Sequence, residues 1–154
     1  MSDHSLTARI PLAALLLGLA GLIPFAAGAA SLWVRLPLLP PETGLRLVVI
    51  YGAIILSFLG GIRWGTAIGP YDTGRQAPEF AASVMGSLAG LSAAFLPAIP
   101  ALAMLIAGFL MQGLWDVMSV DSGRLPGWFG RLRMILTAGV VVALVAALLA
   151  VLAI

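Results

Sequence analysis

The 154-residue chain has no cysteine, no lysine and a single histidine, His4. Without cysteine there is no disulfide, no thiolate nucleophile and no sulfur-ligated metal. A lone imidazole in the N-terminal tail leaves no set of histidines to hold zinc or haem inside an apolar interior. Serine has no histidine or lysine to activate it, so nucleophile–base pairs are missing. Gly60-Gly61 followed by Arg63 lacks the Lys-Ser/Thr ending of a phosphate loop. Charge is equally scarce: charged residues make up 9% of the chain, against about 25% in a soluble domain. No cofactor or metal is expected, and an enzyme is not.

Apolar sequence fills the space that charge leaves. The chain is 62% hydrophobic, with a mean hydropathy of +1.13. Five apolar stretches run roughly over 10–34, 45–66, 80–96, 98–118 and 134–154. A helix rises about 1.5 Å per residue, so about 20 apolar residues cross a hydrocarbon core about 30 Å thick. Four stretches reach that length, and the third lies near the lower limit of about 17. The runs are continuous rather than alternating, which excludes a transmembrane barrel. The polar intervals between them are too short for a separate soluble domain. The sequence therefore predicts an all-α polytopic protein, one bundle of five transmembrane helices over residues 1–154.

All eight basic residues are arginine, and the net charge is only +2. Nucleic-acid binding calls for clustered basic residues on a solvated face. The nearest cluster, Arg131 and Arg133 beside Trp128 and Phe129, reads as an interfacial anchor. One side of the membrane receives the N-terminus and the intervals 67–79 and 119–133. That side carries Arg9, Arg75, Arg124, Arg131 and Arg133, with Arg63 close by. The other carries Arg35 and Arg46. The positive-inside rule then predicts the N-terminus inside and the C-terminus outside, inside being the cytoplasm, or the matrix if the chain is mitochondrial. Trp33, Trp64, Trp115 and Trp128 fall near predicted helix ends, where indole rings favour the interface. The first apolar run is longer than the about 7–15 residues of a signal-peptide core, which favours an uncleaved helix.

Proline and small residues give the local geometry. Pro11 suits a helix start, and Pro78 with Glu79 reads as the opening of the third helix, the carboxylate facing the positive dipole end. Pro97 and Pro100 bracket a tight turn. Pro24 falls inside the first stretch and predicts a kink there, with a carbonyl near Ala20 to be satisfied elsewhere. Ala82, Gly86, Gly90 and Ala94 repeat every four residues and predict a smooth strip for close helix approach. Gly61 and Gly65, with Gly60 adjoining, are a second packing signal. No internal repeat of the kind found in inverted-repeat transporters is visible.

Few polar residues lie in the apolar runs. Arg63 stands near the inner end of the second stretch. Gln112 and Asp116 stand near the inner end of the fourth and share a helix face with Gly108. Arg63 and Asp116 lie at matching depth, about 27 Å along parallel helices, and are candidates to pair. An ion or proton site is one reading, because ionisable groups inside a membrane are functional candidates by default. A structural pair, or two side chains snorkelling to headgroups, is the other. The remaining hydroxyls are expected to bond their own helix backbone.

Three segments carry a resemblance: GLIPF at 21–25, YGAIILSFLGGIRWG at 51–65 and LPGWFGRLRMILT at 125–137. Together they resemble the transmembrane protein 69 family, small inner-membrane proteins of Proteobacteria and mitochondria. The resemblance spans nearly the whole chain and implies five helices and an inner-membrane location, but no reaction. Ser57, Gly60, Gly61, Arg63, Trp64 and Gly65 match its central motif. Pro126, Trp128, Leu132, Arg133 and Thr137 match the second, and Asp116 falls where relatives tend to be acidic. The third helix departs, since relatives often carry proline there. The expectation is a non-enzymatic accessory or assembly component of a larger membrane complex, in contact with lipid and with a protein partner or a second copy. A small transporter or ion pathway through Arg63 and Asp116 is the alternative.

Overall fold

The computed structural model describes residues 9–69, 73–121 and 123–153, with residues 73–75 described by their backbone alone. His4 and the Arg75 side chain, both read from the sequence, lie outside the described residues. Six helical segments form: α1 Leu12–Ala20, α2 Ile23–Trp33, α3 Pro41–Ala67, α4 Thr73–Phe95, α5 Ala98–Asp121 and α6 Gly127–Leu152. Among the described residues the only β-type pairing is an isolated bridge between Leu36 and Leu39.

The first two segments make one membrane-length rod, broken where the sequence predicts a kink. Pro24 sits in the first turn of α2 and cannot donate to the Ala20 carbonyl. The helix gives way at Gly21 and Leu22, yet both keep right-handed dihedrals (φ −63° and −80°). The amide N–H of Gly21 still donates to the Leu17 carbonyl at 3.0 Å, and that of Leu22 to Leu19 at 3.0 Å. The rod bends without reversing.

Among the described residues, four helical rods have the length and hydropathy to cross a membrane: Leu12–Trp33, Pro41–Ala67, Ala98–Asp121 and Gly127–Leu152. The third predicted stretch is the exception. Its helix, α4, is long enough at 23 residues, but Gln76, Glu79 and three serines dilute its hydropathy. Large apolar side chains such as Leu17, Phe58, Met111 and Val142 stand mostly exposed on the outside of the bundle. Such a surface suits lipid tails, which are as apolar as leucine. This is a multi-pass membrane protein.

Contacts along the rods fix their directions. Gly18 lies against Leu136 and Gly139 against Leu22, so α1–α2 runs parallel to α6. Trp33 closes that contact by donating its indole N–H to the Ala146 carbonyl at 3.0 Å. Gly52 meets Leu105 and Gly108 meets Leu56, so α3 and α5 are parallel as well. Gly60 meets Ser83 and Gly90 meets Ala53, making α3 and α4 antiparallel. Helix α3 is central, touching α2, α4 and α5, while α6 closes the bundle against α2 and α5. Phe25, Leu56, Leu102, Leu105, Phe109 and Leu144 fill the middle, each under 2% exposed. Phe25 holds Tyr51 and Phe109 edge-on at 5.0 and 5.8 Å.

Helix boundaries differ from the sequence reading at four places. Helix α3 begins at Pro41 rather than 45, because Pro40 serves as N-cap, Pro41 fills the first turn and Glu42 faces the positive dipole end. Helix α6 begins at Gly127 rather than 134, capped by Pro126. Arg131 and Arg133 therefore lie on a helix, not in a loop. Helix α5 continues to Asp121. Helix α4 begins at Thr73, so Pro78 lies inside it rather than at its start. Pro78 is the sixth residue of α4, past the four whose N–H groups have no partner within the helix, so the Gly74 carbonyl loses its donor there. Glu79 is consequently no N-terminal cap: it is buried, 7% exposed, and paired with Arg124 from the α5–α6 connection.

Candidate functional site

The chemistry that the sequence holds gathers at the end of the bundle where α3 hands over to α4 and α5 to α6. Five charged side chains meet there. Asp116, 2% exposed, accepts a hydrogen bond from Arg133 Nε at 2.6 Å. Glu79 pairs with Arg124. Arg63, 7% exposed, lies over the Trp115 ring with its guanidinium carbon 4.4 Å from the centroid.

The sequence offered Arg63 as the partner of Asp116. Parallel α3 and α5 do place both at one depth. The position of Arg133 on the second turn of α6 decides the pairing instead, because α6 packs antiparallel on α5 and delivers its side chain to Asp116. Read as loop, residues 126–133 gave no reason to look there. The signal was Pro126 followed directly by Gly-Trp-Phe, a helix start. Glu79 and Arg124 were likewise invisible as partners while Glu79 was read as a dipole cap.

Gln112 stands one turn before Asp116 on the same buried face, as its spacing predicts, and is 5% exposed. Its Oε1, Arg63 Nε and Trp115 Nε1 are buried without a hydrogen-bond partner. All three residues line one cavity of about 210 Å³ between α3, α4 and α5. A larger groove of about 430 Å³ runs between α1, α3 and α6, walled by Leu17, Phe25, Tyr51, Phe129 and Leu136. Arg133 Nη2 and Thr137 Oγ1 are its buried unpartnered atoms.

The central motif divides between inside and outside. Ser57 and Ser87 bond hydroxyl to hydroxyl at 2.8 Å across α3 and α4. Gly60 lets the two backbones meet, since a methyl group there would lie 2.1 Å from the Ser83 carbonyl oxygen. Arg63 turns inward. Trp64 is 48% exposed and meets Phe80 at a tilt, with centroids 4.7 Å apart and ring planes 59° apart. Gly61 and Gly65 have nothing within 4 Å and face outward. They take no part in the packing within the bundle that their spacing suggested; Gly60 does, because 60 and 61 lie about 100° apart around the helix.

The strip on α4 drifts in the same way. Gly86 and Gly90 meet the Leu56 and Ala53 carbonyl oxygens, each 2.7–2.8 Å from where a methyl group would sit. Ala82 is half-buried and Ala94 is exposed. The buried edge of α4 runs Glu79, Ser83, Gly86, Gly90, Ala93, alternating steps of four and three. Strict spacing of four slips off a helix face with 3.6 residues per turn. Hydroxyls on the bundle mostly serve their own backbone: Ser31, Thr66 and Ser83 donate to the carbonyls of Gly28, Arg63 and Phe80 at 2.6–2.9 Å. Trp128 and Pro126 stand at the head of α6, where Trp128 meets Phe129 edge-on at 6.0 Å.

Comparison with known proteins places this arrangement. A family described as protein of unknown function, DUF3429, matches residues 10–149. Transmembrane protein 69 of Xenopus tropicalis is similar at 40% identity over 152 residues, covering 90% of this chain and 54% of the frog protein. The chain thus spans about half the length of that curated relative. No solved structure matches it. The chain therefore belongs to the DUF3429 family and is similar to transmembrane protein 69.

Proposed function

We propose that this protein is a non-enzymatic membrane component that docks on a larger membrane protein and supports its assembly. One feature carries the reading: an outward stripe made of Ile54, Phe58, Gly61 and Gly65 on α3 and Ile68 at its C-cap. The steps of four and three keep these residues on one helix face. Ile54, Phe58 and Ile68 are 58%, 67% and 66% exposed, and the two glycines between them adjoin open space. A notch of small residues between apolar shoulders lets a foreign helix approach closely, and in lipid such packing is a main source of helix association. The glycines that serve the bundle itself are different ones, so this notch is free for a partner. The occupant is a helix of another membrane protein; a second copy of this chain is the competing outcome.

The ion-pathway reading draws no support from the geometry. Both carboxylates of the charged cluster are held by arginines, and the cluster is confined to one end of the bundle. A proton relay needs titratable groups in series across the membrane. The arginine distribution favours a cytoplasmic N-terminus in a bacterial inner membrane, and this belongs to the same proposal. Isolation in mild detergent tests the reading: a specific larger protein should co-purify at a fixed ratio. Sedimentation as a lone monomer, with no partner enriched, would overturn it.

A further inference from the structure

The cavity between α4 and α5 combines features that neither packing nor a protein partner uses. Its walls are made of small and flexible residues: Ala82, Gly86 and Ala89 on one side, Gly108 on the other. Met85 and Met111 also line it, and they are 61% and 72% exposed. The space therefore opens sideways, toward the surface that meets the bilayer. Three residues that line it each carry a buried polar atom without a partner: the N–H donors of Arg63 Nε and Trp115 Nε1, and the acceptor Gln112 Oε1. Arg63 and Gln112 are each more than nine-tenths buried. Leaving such groups unpaired is costly, and a ligand with matching groups removes that cost.

Charge decides what kind of ligand fits. Arg63, Arg124, Arg133, Glu79 and Asp116 form the charged cluster, three cations against two anions. Asp116 is taken by Arg133 and Glu79 by Arg124. Arg63 makes neither ion pair and lies against an aromatic face, with Asp116 and Glu79 acting on it only at longer range, so the cavity wall carries a positive charge. The larger groove near α6 differs on this point, because its arginine is Arg133, already paired. Depth and size narrow the ligand further. Arg63 is four residues from the end of α3, about 6 Å of helix rise, at the charged end of the bundle. At about 210 Å³ the cavity is smaller than the roughly 300 Å³ at which sites for whole drug-sized ligands begin. It admits a headgroup while acyl chains remain outside, past exposed Met85 and Met111.

We infer that this cleft binds the headgroup of an anionic membrane lipid that carries a free hydroxyl. The phosphate accepts from Arg63 Nε and Trp115 Nε1, and the hydroxyl donates to Gln112 Oε1. This assignment is independent of the partner proposed for α3, since it uses another face of the bundle.

Native mass spectrometry of the full chain, released from neutral detergent after titration with phosphatidylglycerol, tests it. Phosphatidylcholine and inorganic phosphate serve as comparison probes. One phosphatidylglycerol should be retained per chain, at least tenfold more tightly than phosphatidylcholine. Arg63→Gln should lower that affinity tenfold or more. Trp115→Phe, which keeps the ring and removes the N–H donor, should lower it several-fold. Arg35→Gln, at the opposite end, should leave it unchanged. Circular dichroism establishes that each variant is folded, and Trp115→Phe carries the test if Arg63→Gln does not fold. Equal retention of the two lipids, equal protection by phosphate alone, or full affinity in a folded Trp115→Phe chain would each overturn the assignment.

Discussion

Arg133 donates its Nε–H to Asp116 at 2.6 Å, joining α6 to α5 through two side chains that are each at most 7% exposed. Removing one partner of a buried pair strands the other charge, at a cost of about 3–5 kcal/mol. Asp116→Ala should therefore destabilise the bundle by about 3 kcal/mol or more. A double-mutant cycle in mixed micelles should find strong coupling between positions 116 and 133, and weak coupling between 116 and 63. The reverse order would restore the Arg63 pairing that the sequence suggested.

Neighbouring glycines in the central motif should behave oppositely. A methyl group at position 60 meets the Ser83 carbonyl oxygen at 2.1 Å, whereas at 61 it meets nothing within 4 Å. Overpacking a tight contact costs typically about 1–3 kcal/mol, and more where backbone must move. Gly60→Ala should lower the melting temperature markedly in detergent. Gly61→Ala should stay within about 0.5 kcal/mol of the parent. Any loss that Gly61→Ala does cause should appear in partner binding, not in the melting curve.

The two ion pairs should differ in their response to salt. The Arg124 and Glu79 side chains are 21% and 10% exposed, against 7% and 3% for Arg133 and Asp116. Screening acts on solvated charge and much less on buried charge. The coupling between 79 and 124 should fall between low salt and 1 M salt, and that between 116 and 133 should hold.

Arg63 over the Trp115 ring is a cation–π contact, worth about 0.5–2 kcal/mol with the larger values where solvent is excluded. Trp115→Leu should cost about that much in unfolding measurements. Trp115→Phe should cost less, since an aromatic face remains.

How much of this was legible in the sequence follows from what each feature depends on. Helices and membrane class depend on composition over twenty residues, which the apolar runs state directly. The kink at Gly21–Leu22 depends on one proline, Pro24, and was equally plain. Helix ends were harder. Polar residues that continue a helix, such as Gln76 in α4 or Arg131 and Arg133 in α6, read as loop until their partners are known. Pairing was hardest. Arg63 and Asp116 do share a depth, but whether they face each other depends on the rotation of α3 and α5 about their axes and on where α6 arrives. A one-residue difference, Gly60 against Gly61, separates the bundle interior from the lipid face.

The proposed role rests on the outward face of α3, and photo-crosslinking in native membranes tests it most directly. A photoreactive amino acid placed at Ile54 or Ile68, each more than half exposed, should give one discrete adduct with a larger membrane protein. The same probe at Leu149, exposed on α6, should not. Adducts with lipid alone at all three positions, or a ladder of the chain with itself, would contradict the account.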